Sequence, residues 1–128
     1  VTDCFRIDDR KDPLQLEAAQ RSSHDAYRKA NINRKDIHLF EVHDAFSIMA
    51  CLQLEAAGFE EPGQGWRLEV EDEIRLGGQI PITTMGGLKA RGHPIGATGL
   101  YQVCEIVLQL TGRGLHRAYA HLRSLNRL

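Results

Sequence analysis

The sequence predicts an α/β fold, and three features of its patterning carry that reading. Two short apolar segments of extended character, IHLFEVH (37–43) and IPITT (80–84), alternate with longer stretches of helical period. Between the second of them and the last helical stretch lies GGLKARGHPIGATG (86–99), with five glycines and one proline. Glycine at that density lets a backbone take positive φ and approach a ligand closely, so this stretch is neither strand nor helix throughout.

The elements follow in order. Residues 13–32 read as a helix, with Asp12 as N-cap and Pro13 in the first turn, where a missing N–H costs nothing. Leu16, Ala19, Ser23, Ala26, Tyr27 and Ala30 fall along one face of it. A polar break at 33–36 leads to the first extended segment, which carries a charged Glu41 inside it. Asp44 can cap a second helix through AFSIMACLQLEAAG, stopped by Gly58. Ile48, Ala50, Cys51, Leu52, Leu54 and Ala57 make this helix apolar over most of its circumference, which predicts burial. RLEVEDEIRL (67–76) fits a short helix or a strand equally well, among Gly63, Gly65, Gly77 and Gly78. A strongly apolar helix at 97–111, containing LYQVCEIVLQL, is closed by Gly112. Cys51 and Cys104 read as core thiols on these two helices.

Composition bounds the function. The chain has 128 residues, room for one domain with one core. Its 16 basic and 17 acidic residues give a formal net charge of -1, which supplies no global pull toward nucleic acid or an anionic membrane. No apolar run approaches the ~20 residues of a transmembrane helix, and no basic-then-apolar leader opens the sequence. Cys4, Cys51 and Cys104 are an odd number at spacings foreign to ligand pairs; with the missing leader they predict reduced thiols and a cytoplasmic protein. The opening at Val1 fits a fragment or a processed product. Residues 113–128 hold four arginines, two histidines and no acid, so the expected division is a domain over 1–112 and a divergent basic tail over 113–128.

Two places are candidates for chemistry. His43-Asp44 stands where an extended segment meets a helix, a common location for ligand contacts in α/β folds. A satisfied histidine beside an ordinary helix cap is the plainer reading of that pair. His93 is the sharper candidate. Gly92 clears space before it, Pro94 stiffens the loop, and Gly96 and Gly99 follow. The helix that begins next offers free N–H groups to an anion or oxyanion. An imidazole held there suits a general base or hydrogen-bond donor near neutral pH; the competing reading is an exposed histidine on a glycine-rich turn. Lys89 and Arg91 fit a phosphate contact or plain solvated charge. His116 and His121 lack partner ligands, so no metal is expected. No GxGxxG follows the first extended segment, which removes the dinucleotide fingerprint.

These same residues carry a resemblance. VHDAFSIMACLQLEAAGF, followed by GGQIPITTMGGLKARGHPIGATGLYQVCE, resembles the C-terminal lobe of the thiolase superfamily over roughly residues 13–112. The nearest variety is the sterol-carrier-protein-type and archaeal-type acetyl-CoA acetyltransferases, which have HD-A/C-F where other thiolases have NEAF. Two motifs in the right order make the match specific. It implies half of an αβαβα layered sandwich, here incomplete, and CoA-dependent acyl transfer through an acyl-cysteine. By the resemblance, His93 activates the cysteine and helps bind the thioester oxygen, and His43 contributes to a second oxyanion hole. Gly92 and Gly96 line the coenzyme A thioester, which is a substrate; no cofactor is expected to be tightly bound. The nucleophilic cysteine belongs to the family's first lobe, and none of the three cysteines here stands in its motif. The tail GLHRAYAHLRSLNRL does not align with the family's glycine-rich closing segment and suggests an altered terminus or a shifted reading frame. The expectation is therefore part of an acetyl-CoA acetyltransferase or 3-oxoacyl-CoA thiolase, inactive alone, that forms a homo-oligomer or joins another thiolase-like or accessory subunit. The alternatives are a non-catalytic interaction module and a thiolase-like aldolase subunit.

Overall fold

The computed structural model describes Cys4 and residues 6–114; the basic tail expected at 113–128 falls almost wholly outside them. Five α-helices are described: α1 (Glu17–Ala30), α2 (Ser47–Ala56), α3 (Arg67–Val70), α4 (Gly87–Arg91) and α5 (Thr98–Leu110). Single 3-10 turns precede α1, follow it at Arg34–Asp36, and lead into α5 at Ile95–Ala97.

α1 starts four residues later than the sequence suggests. Asp12 does cap, but it caps a turn: its Oδ1 accepts the Leu14 N–H at 2.9 Å, and its carbonyl accepts from Gln15. The helix ends where Asn31 takes the left-handed conformation at φ 54°. α1 packs on α2, and Tyr27 ties the two by donating its phenol to the Ala57 carbonyl at 2.9 Å. Gly58, at φ 82°, follows the end of α2 as a C-terminal glycine should. Of the ambiguous 67–76 stretch, only the one-turn α3 is helical, and turns succeed it.

The two extended segments meet, but only at one parallel bridge between Phe40 and Ile82. Phe40 donates to the Pro81 carbonyl at 3.0 Å, and Thr83 donates to the Phe40 carbonyl at 3.2 Å. Among the described residues no longer ladder forms, so the expected α/β layering is reduced to a helix-rich domain around one point of pairing. The physical reason is where the other backbone groups go. Ile80 and Ile82 donate to the carbonyls of Glu73 and Ile74. Side chains take over at the end of the first segment: Gln53 donates to the His43 carbonyl at 2.7 Å and accepts its N–H at 3.0 Å, and Gln102 donates to the Val42 carbonyl at 2.8 Å.

Leu39, Val42, Leu52, Leu54, Ala57, Leu68, Ile80 and Leu88 form the core. Both apolar helices contradict their expected burial in part. α2 buries Leu52 and Leu54 and leaves Ile48 exposed, with Phe46 exposed just ahead of it. α5 is inverted: it buries Thr98, Glu105 and Gln109, while Leu100, Tyr101, Val103, Val107 and Leu110 face outward. Cys104 is exposed and Cys51 only half-buried, so neither is the core thiol that its helix suggests. A helix apolar all round has two faces to cover, and the packing within these residues covers one. No described helix is long and apolar enough to cross a membrane.

Candidate active site

The chain brings together the two histidines that the sequence singles out, although fifty positions separate them. Their rings meet edge to face, with centroids 4.9 Å apart and planes at 84°. Each arrives on a backbone held by its own set of bonds.

His43 follows Val42, which is 1% exposed and anchors the end of the extended segment in the core. Gln53 of α2 brackets its backbone from both sides, as a neighbouring strand would. Burial is the main effect that pushes the His43 imidazole below its ordinary pKa, and the adjacent His93 adds to it, while Asp44 pulls the other way. A neutral ring at neutral pH is the form that both accepts a proton and donates one.

Asp44 corrects the sequence reading. It does not cap α2, which begins three residues later with no side-chain cap at all. Its Oδ1 accepts the Leu88 N–H at 2.7 Å, and so it caps α4, 44 positions away. That approach requires glycine at position 87, where φ is 63° and a Cβ would sit inside the Asp44 carboxylate. Asp44 thus fixes the start of the loop that carries His93 to the residue next to His43.

α4 delivers Lys89 and Arg91. Lys89 bonds the Ser47 hydroxyl at 2.8 Å, and Arg91 lies over the Tyr101 ring at 5.1 Å, so neither is simply solvated. Gly92, at φ 109°, then reverses the chain, a conformation that L side chains rarely adopt. Gly96 borders open space, with nothing near the position of a Cβ. His93 Nδ1 meets Thr98 Oγ1 at 2.7 Å, and Thr98 is 1% exposed at the start of α5. This contact occupies one ring nitrogen and leaves Nε2 for chemistry. No side chain caps the first turn of α5; the 3-10 turn ahead of it does part of that work, its Ile95 carbonyl accepting the Thr98 N–H, so the helix start offers fewer free donors than the sequence suggests.

The residues that sequence reasoning missed are Gln53, Thr98 and Gln102, the supports of the two histidines. Their signal was present: polar side chains inside, or at the start of, otherwise apolar helices. Elsewhere, no group of three or more histidine, cysteine or acidic side chains able to hold a metal occurs among the described residues. Cys51 lines a cavity with Leu14, Leu16, Ile48, Leu52 and Trp66, whose lining includes neither histidine.

Comparison with known proteins gives the chain a family. The family model described as thiolase C-terminal domain-like matches residues 1–124. The acetyl-CoA acetyltransferase of Methanothermobacter thermautotrophicus is 44% identical over 106 residues, which cover 83% of this chain and 28% of that protein. Sterol carrier protein 2 of Bos taurus is 40% identical over 99 residues, covering 77% of this chain and 18% of its own length. Among solved structures, the Ltp2-ChsH2(DUF35) aldolase superposes with a TM-score of 0.80 at 21% identity, covering 86% of this chain and 28% of the other. The chain thus spans less than a third of the length of these relatives. With the model matched along nearly its whole length, and with the histidine loop and its partner histidine placed side by side, this chain belongs to the thiolase C-terminal domain-like family.

Proposed function

We propose that this chain supplies the base and an oxyanion-hole donor to a CoA-dependent acyltransferase of the acetyl-CoA acetyltransferase or 3-oxoacyl-CoA thiolase type. The observation that carries the reading is the edge-to-face approach of His43 and His93 at 4.9 Å. In the proposed reaction a cysteine from outside these residues attacks the thioester. His93, oriented by Thr98, takes the thiol proton and helps hold the thioester oxygen. His43 presents a second polarised donor to the negative charge that develops on that oxygen. Gly92 and Gly96 give the coenzyme A thioester, as substrate, room to approach the loop. Nothing in this scheme calls for a tightly bound cofactor. The unbridged thiols of Cys51 and Cys104 are consistent with the cytoplasmic location that the sequence suggests.

Because the nucleophile is external, the chain by itself should not turn over. The test joins it to an upstream cysteine-bearing lobe and follows thiolysis of acetoacetyl-CoA. His93→Ala should lower kcat by roughly 10²-fold or more, and His43→Ala by ~10²–10³. The same change at His24, on α1 and away from the pair, should be nearly silent. Full activity in the His93 variant sinks the assignment.

A second reading, a partner-binding module of this fold, is favoured by α5. Leu100, Val103, Val107 and Leu110 are each at least 47% exposed and repeat at three and four residues, which forms the seam a second helix would cover. Both readings share this surface: it seats a second copy of the chain, or a thiolase-like or accessory subunit. A retro-aldol reaction that proceeds without any cysteine would instead identify a thiolase-like aldolase subunit.

A further inference from the structure

Behind the histidine pair lies a polar cluster with no part in the scheme above. Thr84, Glu105 and Gln109 are each 2% exposed or less, and Glu41 reaches them from the extended segment two residues before His43. The Thr84 hydroxyl lies 2.7 Å from Glu105 Oε1 and 3.1 Å from Glu41 Oε1. The Thr84 N–H donates to the same Glu41 oxygen at 2.8 Å, and Gln109 Nε2 donates to Glu105 Oε1 at 2.8 Å. Glu105 Oε2 and Gln109 Oε1 are buried with no partner.

The hydrogens can be counted. A threonine hydroxyl carries one, and an ionised carboxylate only accepts. If both glutamates were ionised, one of the two contacts to Thr84 Oγ1 would hold oxygen against oxygen with no hydrogen between them. Two negative charges would also share one buried hydroxyl, an arrangement that like-charge repulsion and desolvation both oppose. A single added proton resolves each difficulty.

We propose that Glu41 and Glu105 carry one proton between them at neutral pH, with the Glu41 hydroxyl donating to Thr84 Oγ1 and the Thr84 hydroxyl donating to Glu105, and that this relay positions His43 against His93. Every close contact then contains one hydrogen, and the remaining carboxylate, on Glu105, is held by Thr84 and Gln109. The groups around Glu41 are consistent with that assignment. Burial pushes its carboxyl above the ordinary glutamate range against the two bonds from Thr84, with Glu105 adding to the rise and the Arg91 cation opposing it. Arg91 acts on the cluster only through its field, since its buried Nη1 and Nη2 make no hydrogen bond, and its cation lies over Tyr101 of α5. Thr84 stands where the 80–84 segment opens into Gly87, α4 and the His93 loop. The Glu41–Thr84 bonds therefore fasten one histidine-bearing segment to the other, and Glu41, Thr84 and Glu105 are positioning residues. Loss of the shared proton would leave only the Thr84 N–H in that junction.

The importance of these residues rests on the proposed acyl transfer, but the test does not read activity, so the two stand or fall separately. Carboxyl-labelled glutamate in the 128-residue chain is followed by carbon NMR from about pH 4 to pH 9, a range that spans ordinary and raised carboxyl values. One glutamate signal should titrate above all the others and vanish in Glu41→Gln. At that same midpoint the ring signals of His43 and His93 should show an added shift, absent in Glu41→Gln and in Thr84→Val and retained in Thr84→Ser. Because the fold favours the protonated carboxyl, the melting temperature should fall as pH rises through that midpoint, and Glu41→Gln should flatten this limb. Glutamates that all titrate together in the wild-type chain would overturn the proposal without any variant having to fold. So would histidine signals that ignore the midpoint.

Discussion

The histidine corner and the outer face of α5 are built from neighbouring stretches of one sequence, yet they are opposites. At the corner, polar groups are matched across long sequence separations: Asp44 with the Leu88 amide, Gln53 with the His43 backbone, Gln102 with the Val42 carbonyl. On the outer face of α5, Leu100, Val103, Val107 and Leu110 lie exposed, with no bonding pattern to fix them. The helix belongs to both regions, since its polar residues turn inward toward Thr84 and its apolar ones turn outward. The contrast shows that this chain holds its geometry through hydrogen bonds at one corner while, among the described residues, a strip of apolar side chains on α5 stays exposed. A monomeric protein rarely leaves so contiguous an apolar strip in water.

The comparison is broken most severely at Gly87. Gly87→Ala forces an L side chain to φ 63° and drives its Cβ into the Asp44 carboxylate. Left-handed strain and overpacking together should cost roughly 2–4 kcal/mol, read as a lower denaturant midpoint. The same change at Gly96, where nothing lies near a Cβ, should cost far less. If the two variants unfold alike, the Asp44 junction is not what holds the corner.

The opposite region is sharpened by adding charge. The exposed α5 seam should drive self-association of the isolated chain, visible by size-exclusion chromatography with light scattering. Val103→Glu combined with Val107→Glu should shift it to monomer while changing the monomer's own stability by only about 0.5 kcal/mol per site, as surface substitutions usually do. A wild-type chain that stays monomeric at high concentration would remove the seam's role.

The smallest expected effect is a pH dependence at His43. Its folded pKa is depressed, chiefly by burial, so the folded state binds fewer protons than the unfolded chain as pH falls. Stability should therefore decline as pH falls through and below the unfolded histidine value of about 6.5. His43→Gln should flatten that acid limb, whose sign is opposite to that of the Glu41 effect, since burial favours the neutral form of both groups. A variant that melts with an unchanged acid slope would show that the ring is as free to ionise folded as unfolded.

Much of the fold was legible before any coordinates. The α1 and α5 helices, the Gly58 stop and the bend at Gly92 all follow from local rules of period, capping and positive φ. The loop around His93 was legible too, because glycines and a proline packed around one imidazole form a local signal. The cap relation was not. Asp44 beside a helical stretch looks like the cap of that stretch, and nothing local reveals that Leu88 will present its amide to it. The expected strands meet at only one bridge, and the second is not extended throughout, since Thr83 takes a left-handed φ of 44° and Thr84 lies in a turn; pairing depends on what lies alongside.

By itself the sequence determined the helical periods, the glycine positions and the identity of the two histidines, all of which rest on interactions within a few residues. Only the tertiary structure decided which face of α5 turns inward. Period marks out two faces of a helix, but hydrophobicity alone chooses the wrong one here. Glu105 and Gln109 are buried on α5 because Thr84, 21 positions before Glu105, arrives with a hydroxyl for them, and a buried polar group is tolerated only where such a partner stands.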